Sequence, residues 1–396
     1  MLLLHSLLLE YWLKRVFFED NFHTLVSIGM PSFRALLQRV HRVRRLSLPP
    51  KEFKLFFYVN YQYLTMDFLQ KDLIVDEQRY LFLATDEQLG YLTNAWTWFV
   101  DGTFGVVKKT AFLQLLVIHV IVGTPVNSKS IPVMFIFMSR RQKTDYIAVF
   151  IAILIIIYDV KRTAPYVKTI MMDFEIALWS ALRKMKKDGL FAEDLKLSGC
   201  TFHYCQALFR KIGFFKLTPS YASNSDTRLL IREHMALPLL PEKMILGQFL
   251  RLRNICYAQE GKIGFYLKQF SDYFKSTWIS GNWKCTDWCQ FRKLNRTNNV
   301  SEGSNSVLKR KLFYGDMNFY SVVGKLYHEA RNLGLASVFA YEPRQVTHQV
   351  LQEESFLLFL WSQLEAQTLK AVFLQVVAHL KMLDANEKYA FQKTKY

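Results

Sequence analysis

From Trp96 onward the spacing of apolar residues changes from helical periodicity to runs and alternation. Thr97–Val107, Phe112–Val122 and Ile131–Met138 are β-branched and aromatic, and turn material separates them: Lys108-Lys109-Thr110, then Gly123-Thr124-Pro125-Val126-Asn127-Ser128. Three consecutive strands with short links predict an antiparallel meander. Asp145–Tyr158 is apolar on most sides, which predicts a helix buried against the sheet. Val167–Met172 is a fourth strand. Glu175–Lys187 is an amphipathic helix that ends in Arg183-Lys184-Met185-Lys186-Lys187, with Gly189 as its stop signal. Leu197–Phe202 reads as a short fifth strand, and a helix runs on from His203 to about Lys211.

This order predicts an α/β fold of ribonuclease-H-like type: a mixed sheet, antiparallel meander plus parallel strands, with an all-helical insertion and helical N- and C-terminal regions. Residues 1–94 read as a helical N-terminal region. Within it, residues 1–50 are short helices closed by Pro49-Pro50. Residues 51–94 are aromatic-rich and helical or irregular. Residues 95–213 are the first part of the catalytic core. Residues 214–294 are the helical insertion, with helices at Thr227–Ala236, Pro241–Asn254 and Lys262–Phe274. Residues 295–330 hold the closing catalytic helix. Residues 331–396 are a helical C-terminal region, amphipathic over Glu354–Leu364 and Thr368–Met382.

Composition narrows the class. The 396 residues are 51% hydrophobic and 15% aromatic, a globular rather than a disordered balance. The formal net charge is +18, and a protein this basic usually meets a polyanion, nucleic acid first among them; a charge excess without a partner is the bland alternative. The cluster Arg39-Val40-His41-Arg42-Val43-Arg44-Arg45 offers Arg42, Arg44 and Arg45 to phosphates; a solvated helix face is the bland alternative. Five cysteines, an odd and low number, argue against a disulfide framework and for a reducing compartment. The most apolar run, Ile147 to Tyr158, is far short of the roughly 20 residues that span a bilayer, so no membrane partner is expected. The start, Met1 to Glu10, lacks a basic n-region and a small-residue cleavage site, which disfavours a signal peptide.

Three acids carry the candidate chemistry. Asp101 interrupts a strand, since Trp96–Val100 before it and Phe104–Val107 after it are both strand-like. Asp173 ends the fourth strand. Glu302 opens a helix-like run, with Asn305 and Lys309 following at i+3 and i+7 on one face, and Arg310 beside them. Each acid also has a cheap structural explanation. Asp101-Gly102 is a hairpin signal. Asp173 stands where an N-cap is wanted. Asn299 to Glu302 resembles a capping box. Glu175 reads best as a first-turn acid favoured by the helix dipole. Together, the carboxylates match what two divalent ions require for phosphodiester chemistry: hard oxygen ligands around Mg²⁺ or Mn²⁺. A rival metal reading is zinc on Cys200, His203 and Cys205 with Cys285 and Cys289. The stripe Trp278, Trp283, Trp288 suggests either base stacking or core packing of the insertion.

These segments resemble the Mutator-like element (MULE) transposases: Phe99-Val100-Asp101-Gly102-Thr103-Phe104, Gln114-Leu115, Met172-Asp173-Phe174-Glu175, Gly199-Cys200-Thr201-Phe202-His203-Tyr204-Cys205-Gln206, and Arg296-Thr297-Asn298-Asn299-Val300-Ser301-Glu302-Gly303. Thr85-Asp86-Glu87-Gln88-Leu89 and the segment from Pro31 to Pro50 add to it, so it covers about residues 30 to 330. The resemblance implies a ribonuclease-H-like core with Asp101, Asp173 and Glu302 as ligands of a two-metal Mg²⁺ or Mn²⁺ site. It implies cleavage at transposon ends, strand transfer into target DNA, nuclear localisation and room for a homo-oligomer. It makes Cys200 and His203 a near-site pair, with His203 approaching the scissile phosphate or ordering the acids. Many members carry a zinc-binding recognition module ahead of the core, whereas here no Cys precedes residue 96. The alternative expectation is therefore a transposase-derived DNA-binding or regulatory protein that keeps the fold without catalysis.

Overall fold

The computed structural model describes residues 33–46, 54–64, 67–104, 112–123, 128–293, 296, 319–332, 348–365 and 372–380. Helix α1 (Phe33–Leu46) comes first. A hairpin follows, β1 (Leu69–Val75) and β2 (Gln78–Leu83), and then helix α2 (Asp86–Asn94). The meander is β3 (Thr97–Phe104), β4 (Gln114–Gly123) and β5 (Ser128–Met138). Helix α3 (Lys143–Lys161), strand β6 (Thr169–Met172), helix α4 (Ile176–Lys187) and strand β7 (Lys196–Gly199) complete the sheet region. Helices α5 (Thr201–Phe214), α6 (Thr218–Ser223), α7 (Ser225–Ala236), α8 (Glu242–Ala258), α9 (Gly261–Phe274) and the short α10 (Cys285–Trp288) follow. The C-terminal helices are α11 (Phe319–Arg331), α12 (His348–Glu365) and α13 (Phe373–Ala378).

The seven strands form one mixed sheet in the order β1-β2-β5-β4-β3-β6-β7. The pairs from β1 to β3 are antiparallel, whereas β3 with β6 and β6 with β7 are parallel. Alternation along the strands feeds two faces. Trp98, Val100, Leu116, Ile118, Ile136, Ile170 and Met172 face the larger core, which also takes in buried residues of α2, α3 and α4. On the opposite face Leu81, Leu115, Val117, Phe135 and Phe137 pack against Phe319, Val322, Val323 and Leu326 of α11. Phe99 and Met171 form a smaller cluster there with Cys200 and Phe202.

The structure corrects the reading of residues 51–94 as helical or irregular. The sheet begins at Leu69, and β2 extends the meander by pairing with β5. The two-residue loop Asp76-Glu77 has φ of 49° and 57°, the left-handed pair that a tight hairpin needs. The hidden signal was Leu-Ile-Val before the loop and Tyr-Leu-Phe-Leu after it. An Asp-Glu loop lacks the glycine that advertises such a turn. Buried Arg79 braces the hairpin, bonding Asp72 at 2.6 Å and the Phe57 carbonyl at 2.8 Å. A side chain at positive φ costs roughly 1 kcal/mol. Glu77→Gly is therefore expected to stabilise the protein by about 0.5–1 kcal/mol; a lower midpoint in thermal unfolding would contradict this turn.

A second correction concerns Leu197–Phe202. The strand stops at Gly199, Cys200 becomes the N-cap of α5, and the helix starts at Thr201. The helical insertion packs directly on the sheet: its buried residues Leu230, Phe249, Phe270 and Trp288 belong to the same core. Its last segment covers the open edge of β7. Gln290 Nε2 donates to the Gly199 carbonyl at 2.6 Å and Lys293 Nζ to Ser198 Oγ at 3.0 Å, which satisfies backbone and hydroxyl groups that an edge strand leaves over.

Candidate active site

Asp101 sits inside β3, opposite Val117 of β4, so Asp101-Gly102 is strand and not a hairpin turn. Parallel partners Val100 and Met172 form the last registered pair of β3 with β6. Asp101 and Asp173 are the next positions along, on neighbouring strands that run about 4.8 Å apart. Val100 and Met172 point into the larger core. Asp101 accordingly shares the opposite side with Phe99 and Thr103, and Asp173 follows Met171 at the same period. Asp101, within β3, and Asp173, just past the end of β6, thus occupy neighbouring positions where the parallel pairing stops.

Their electrostatics bear this out. The Asp173 carboxyl is pushed up to about 7, first by burial, then by the negative charge of Asp101, then by that of Glu175. The Glu175 backbone N–H and the Arg141 guanidinium pull weakly the other way. The N–H contact is an Asx-type turn that aims the carboxylate two residues ahead. Asp173 is not the N-cap of α4; Glu175 holds that position and makes no side-chain cap bond. Instead Glu175 Oε2 accepts a hydrogen bond from Tyr146 Oη at 3.0 Å, and Tyr146 Oη accepts one from buried Gln114 Nε2 at 2.9 Å. Burial raises the Glu175 carboxyl above its ordinary range, against the pull of Tyr146 and Arg141. Glu175 therefore stands at the N-cap of α4 and not in its first turn as expected, with its charge acting on Asp173. Tyr146 and Arg141 are partners that the sequence did not single out for the site, and Gln114 was named only as part of the resemblance.

Packing fixes the acid loop. Phe174, between the two acids, stacks on Trp179 with ring centroids 6.2 Å apart and meets Trp278 edge-on at 4.8 Å and Trp283 at 5.2 Å. Trp179 Nε1 donates to the Asp173 carbonyl at 2.7 Å. Trp278, Trp283 and Trp288 are all buried, and Trp288 stacks on Tyr204 at 5.4 Å. The stripe is the packing of the insertion against the acid loop, not a stacking platform for bases.

The zinc expectation fails. Cys200 is buried in the small cluster with Phe99 and Met171, while Cys205 is buried in the main core. Cys285 and Cys289 pack against that core, and Cys289 Sγ donates to the Leu240 carbonyl at 3.4 Å. Among the described residues no group of three or more His, Cys, Asp or Glu side chains is placed to hold a metal ion. What the described residues supply is the pair Asp101 and Asp173, with Glu175 beside it.

Of the other expected site residues, Cys200 donates its N–H to the Met172 carbonyl at 3.0 Å, next to the Asp173 strand end. His203 lies on the first turn of α5, half-buried beside Phe202. Arg42 is exposed on α1. Glu302, Asn305, Lys309 and Arg310, and the side chains of Arg44 and Arg45, lie outside the described residues. Arg296 is the last described residue before Glu302. It is buried, ion-paired with Glu354 of α12, and its carbonyl accepts from Thr201 N–H at 3.0 Å. Arg296 is therefore anchored at the N-terminus of α5.

Comparison with protein-family models, curated proteins and solved structures returns no match.

Proposed function

We propose that the chain is a metal-dependent DNA transposase of Mutator-like type, whose ribonuclease-H-like core cleaves phosphodiester bonds at transposon ends and transfers the strands. The observation that carries this reading is the juxtaposition of Asp101, inside β3, and Asp173, just past the end of the parallel strand β6, in a sheet ordered meander–parallel–parallel. Supporting it are the alternation of β6, α4, β7 and α5 after the meander and the net charge of +18.

The donor set suits Mg²⁺ or Mn²⁺. Two carboxylates side by side repel, and here one holds its proton up to about 7, so a divalent ion of hard-oxygen preference relieves a conflict built into the fold. Asp101 and Asp173 would hold it, with Glu302 as the proposed third acid. When bound, such ions activate a water or a 3′-hydroxyl and stabilise the leaving oxygen. The chain's own groups do the rest. Tyr146, itself held by Gln114, fixes the Glu175 carboxylate, the Phe174 ring keeps the loop in place, and the N-terminus of α4 lends its dipole to the carboxylates. Duplex DNA is the partner, held first by phosphate contacts. The nucleus is the proposed compartment.

Incubation with supercoiled plasmid and Mn²⁺ tests this reading. Nicking by the wild type, lost at least 100-fold in Asp101→Asn, is expected from removal of a metal ligand (~2.7 kcal/mol or more of barrier). Equal nicking by both proteins, or none by either, argues against it. DNA affinity should also fall steeply between 50 and 200 mM salt, by about 10³-fold if some six phosphates are contacted; a flat salt profile removes the DNA partner.

A further inference from the structure

We propose that the turn between β5 and α3 is the phosphate-gripping side of the acid site, with Arg141 as the contacting cation and Lys143 beside it. The inference rests on the proposed function and names the groups that receive the nucleic-acid backbone there.

The geometry comes from the turn's own anchors. Arg140 is committed inward, its guanidinium bonded to buried Asp145 at 2.8 Å. Asp145 in turn accepts from Tyr80 Oη at 2.7 Å and from the Gln142 N–H at 2.6 Å, which closes the first turn of α3. With its neighbour pinned, Arg141 is carried to the exposed side, and Gln142 and Lys143 are exposed with it. One turn into α3, Tyr146 donates to Glu175, which brings this end of the helix against the acid loop. Lys143 precedes Tyr146 by three residues and so lies on the same helix flank. The positive charge of Arg141 is felt by both Asp173 and Glu175.

The chemistry requires such a group. Asp101, Asp173 and Glu175 bring acidic groups to the place where a negative ligand would lie, so a backbone phosphate needs cations from the protein as well as divalent ions. A guanidinium offers a planar fork that binds two phosphate oxygens at once, which an ammonium cannot do. The turn is pre-formed, since the Arg140–Asp145–Tyr80 network fixes it, so little ordering cost falls on the contact.

The test is a fluorescence-anisotropy titration of a labelled DNA duplex in Ca²⁺, used to support binding without cleavage, at several salt concentrations. Wild type, Arg141→Ala, Arg141→Lys and the control Lys187→Ala, an exposed cation at the far end of α4, are compared. Arg141→Ala is expected to weaken binding about tenfold at low salt and to reduce the log–log salt slope by about one. Arg141→Lys should keep the slope and lose part of the affinity, and Lys187→Ala should match the wild type. Binding by the wild type with an unchanged slope in Arg141→Ala overturns this assignment alone. Absence of salt-dependent binding by the wild type overturns the proposed function and this assignment with it. An unchanged thermal midpoint for Arg141→Ala, expected for an exposed side chain, excludes misfolding as the cause.

Discussion

Asp173→Asn is expected to stabilise the chelator-treated protein at pH 8 while abolishing its response to divalent ions. The sign follows from the proton balance. In the unfolded chain an aspartate ionises near 3.9. In the folded protein burial, Asp101 and Glu175 hold Asp173 protonated up to about 7. Between about pH 4 and pH 7 the native state keeps a proton that the unfolded state has lost, so stability falls as pH rises across that window and levels off above it. The full shift corresponds to about 4 kcal/mol at most, and partial access of solvent brings the expected gain in Asp173→Asn at pH 8 to about 2–3 kcal/mol. Below pH 4 wild type and variant should differ little from this cause, and at pH 5 the difference should be about a third of its value at pH 8. Thermal unfolding at pH 5 and pH 8, with chelator and then with Mn²⁺, checks both halves. A variant destabilised at pH 8 without metal would mean that Asp173 is held by favourable contacts and is not in conflict with Asp101.

The second large effect is expected at Gly199, the residue that ends β7. A Cβ there would overlap the Phe174 ring, whose other sides are held by Trp179, Trp278 and Trp283. The ring has nowhere to move without carrying Asp173 and Glu175. Gly199→Ala should cost about 3 kcal/mol, at the upper end of overpacking effects, and should lower metal-dependent nicking more than its stability loss explains. Phe174→Leu removes part of the ring at a cost of about 1–2 kcal/mol. The double variant should recover much of the Gly199→Ala loss, a coupling of about 1–3 kcal/mol for residues in direct contact. Simple addition of the two losses in denaturant unfolding would show that the glycine and the ring do not share this space.

The sheet was legible where side-chain alternation and β-branching coincide with clear turns. The meander, the buried helix after it, and the parallel strands ending at Met172 and Gly199 all lie within a few residues of expectation. The β1–β2 hairpin was not legible, because its loop uses Asp76 and Glu77 at positive φ in place of glycine. The acid pair was readable from position alone, one acid inside a strand and one at a strand end. Glu175 was not, because a carboxylate in a first helical turn has a sufficient local explanation. Only the approach of Tyr146, distant in sequence, gives it another partner. The tryptophan stripe shows the same limit: spacing reveals a face, and only the fold shows that Phe174 fills it. Cys200-x-x-His203, with Cys205, looked like half of a zinc site by spacing. The change from strand to helix at Cys200 sends Cys200 and Cys205 into different apolar clusters on either side of the sheet.

The central claim is that Asp101 and Asp173 jointly hold divalent cations. Titration of the chelator-treated protein with Mn²⁺, followed by electron paramagnetic resonance of the free ion, measures this without reference to DNA or turnover. Saturable binding by the wild type, weakened at least tenfold in Asp101→Asn and in Asp173→Asn alike and accompanied by proton release near pH 7, is the predicted result. Undiminished binding in either variant would contradict it.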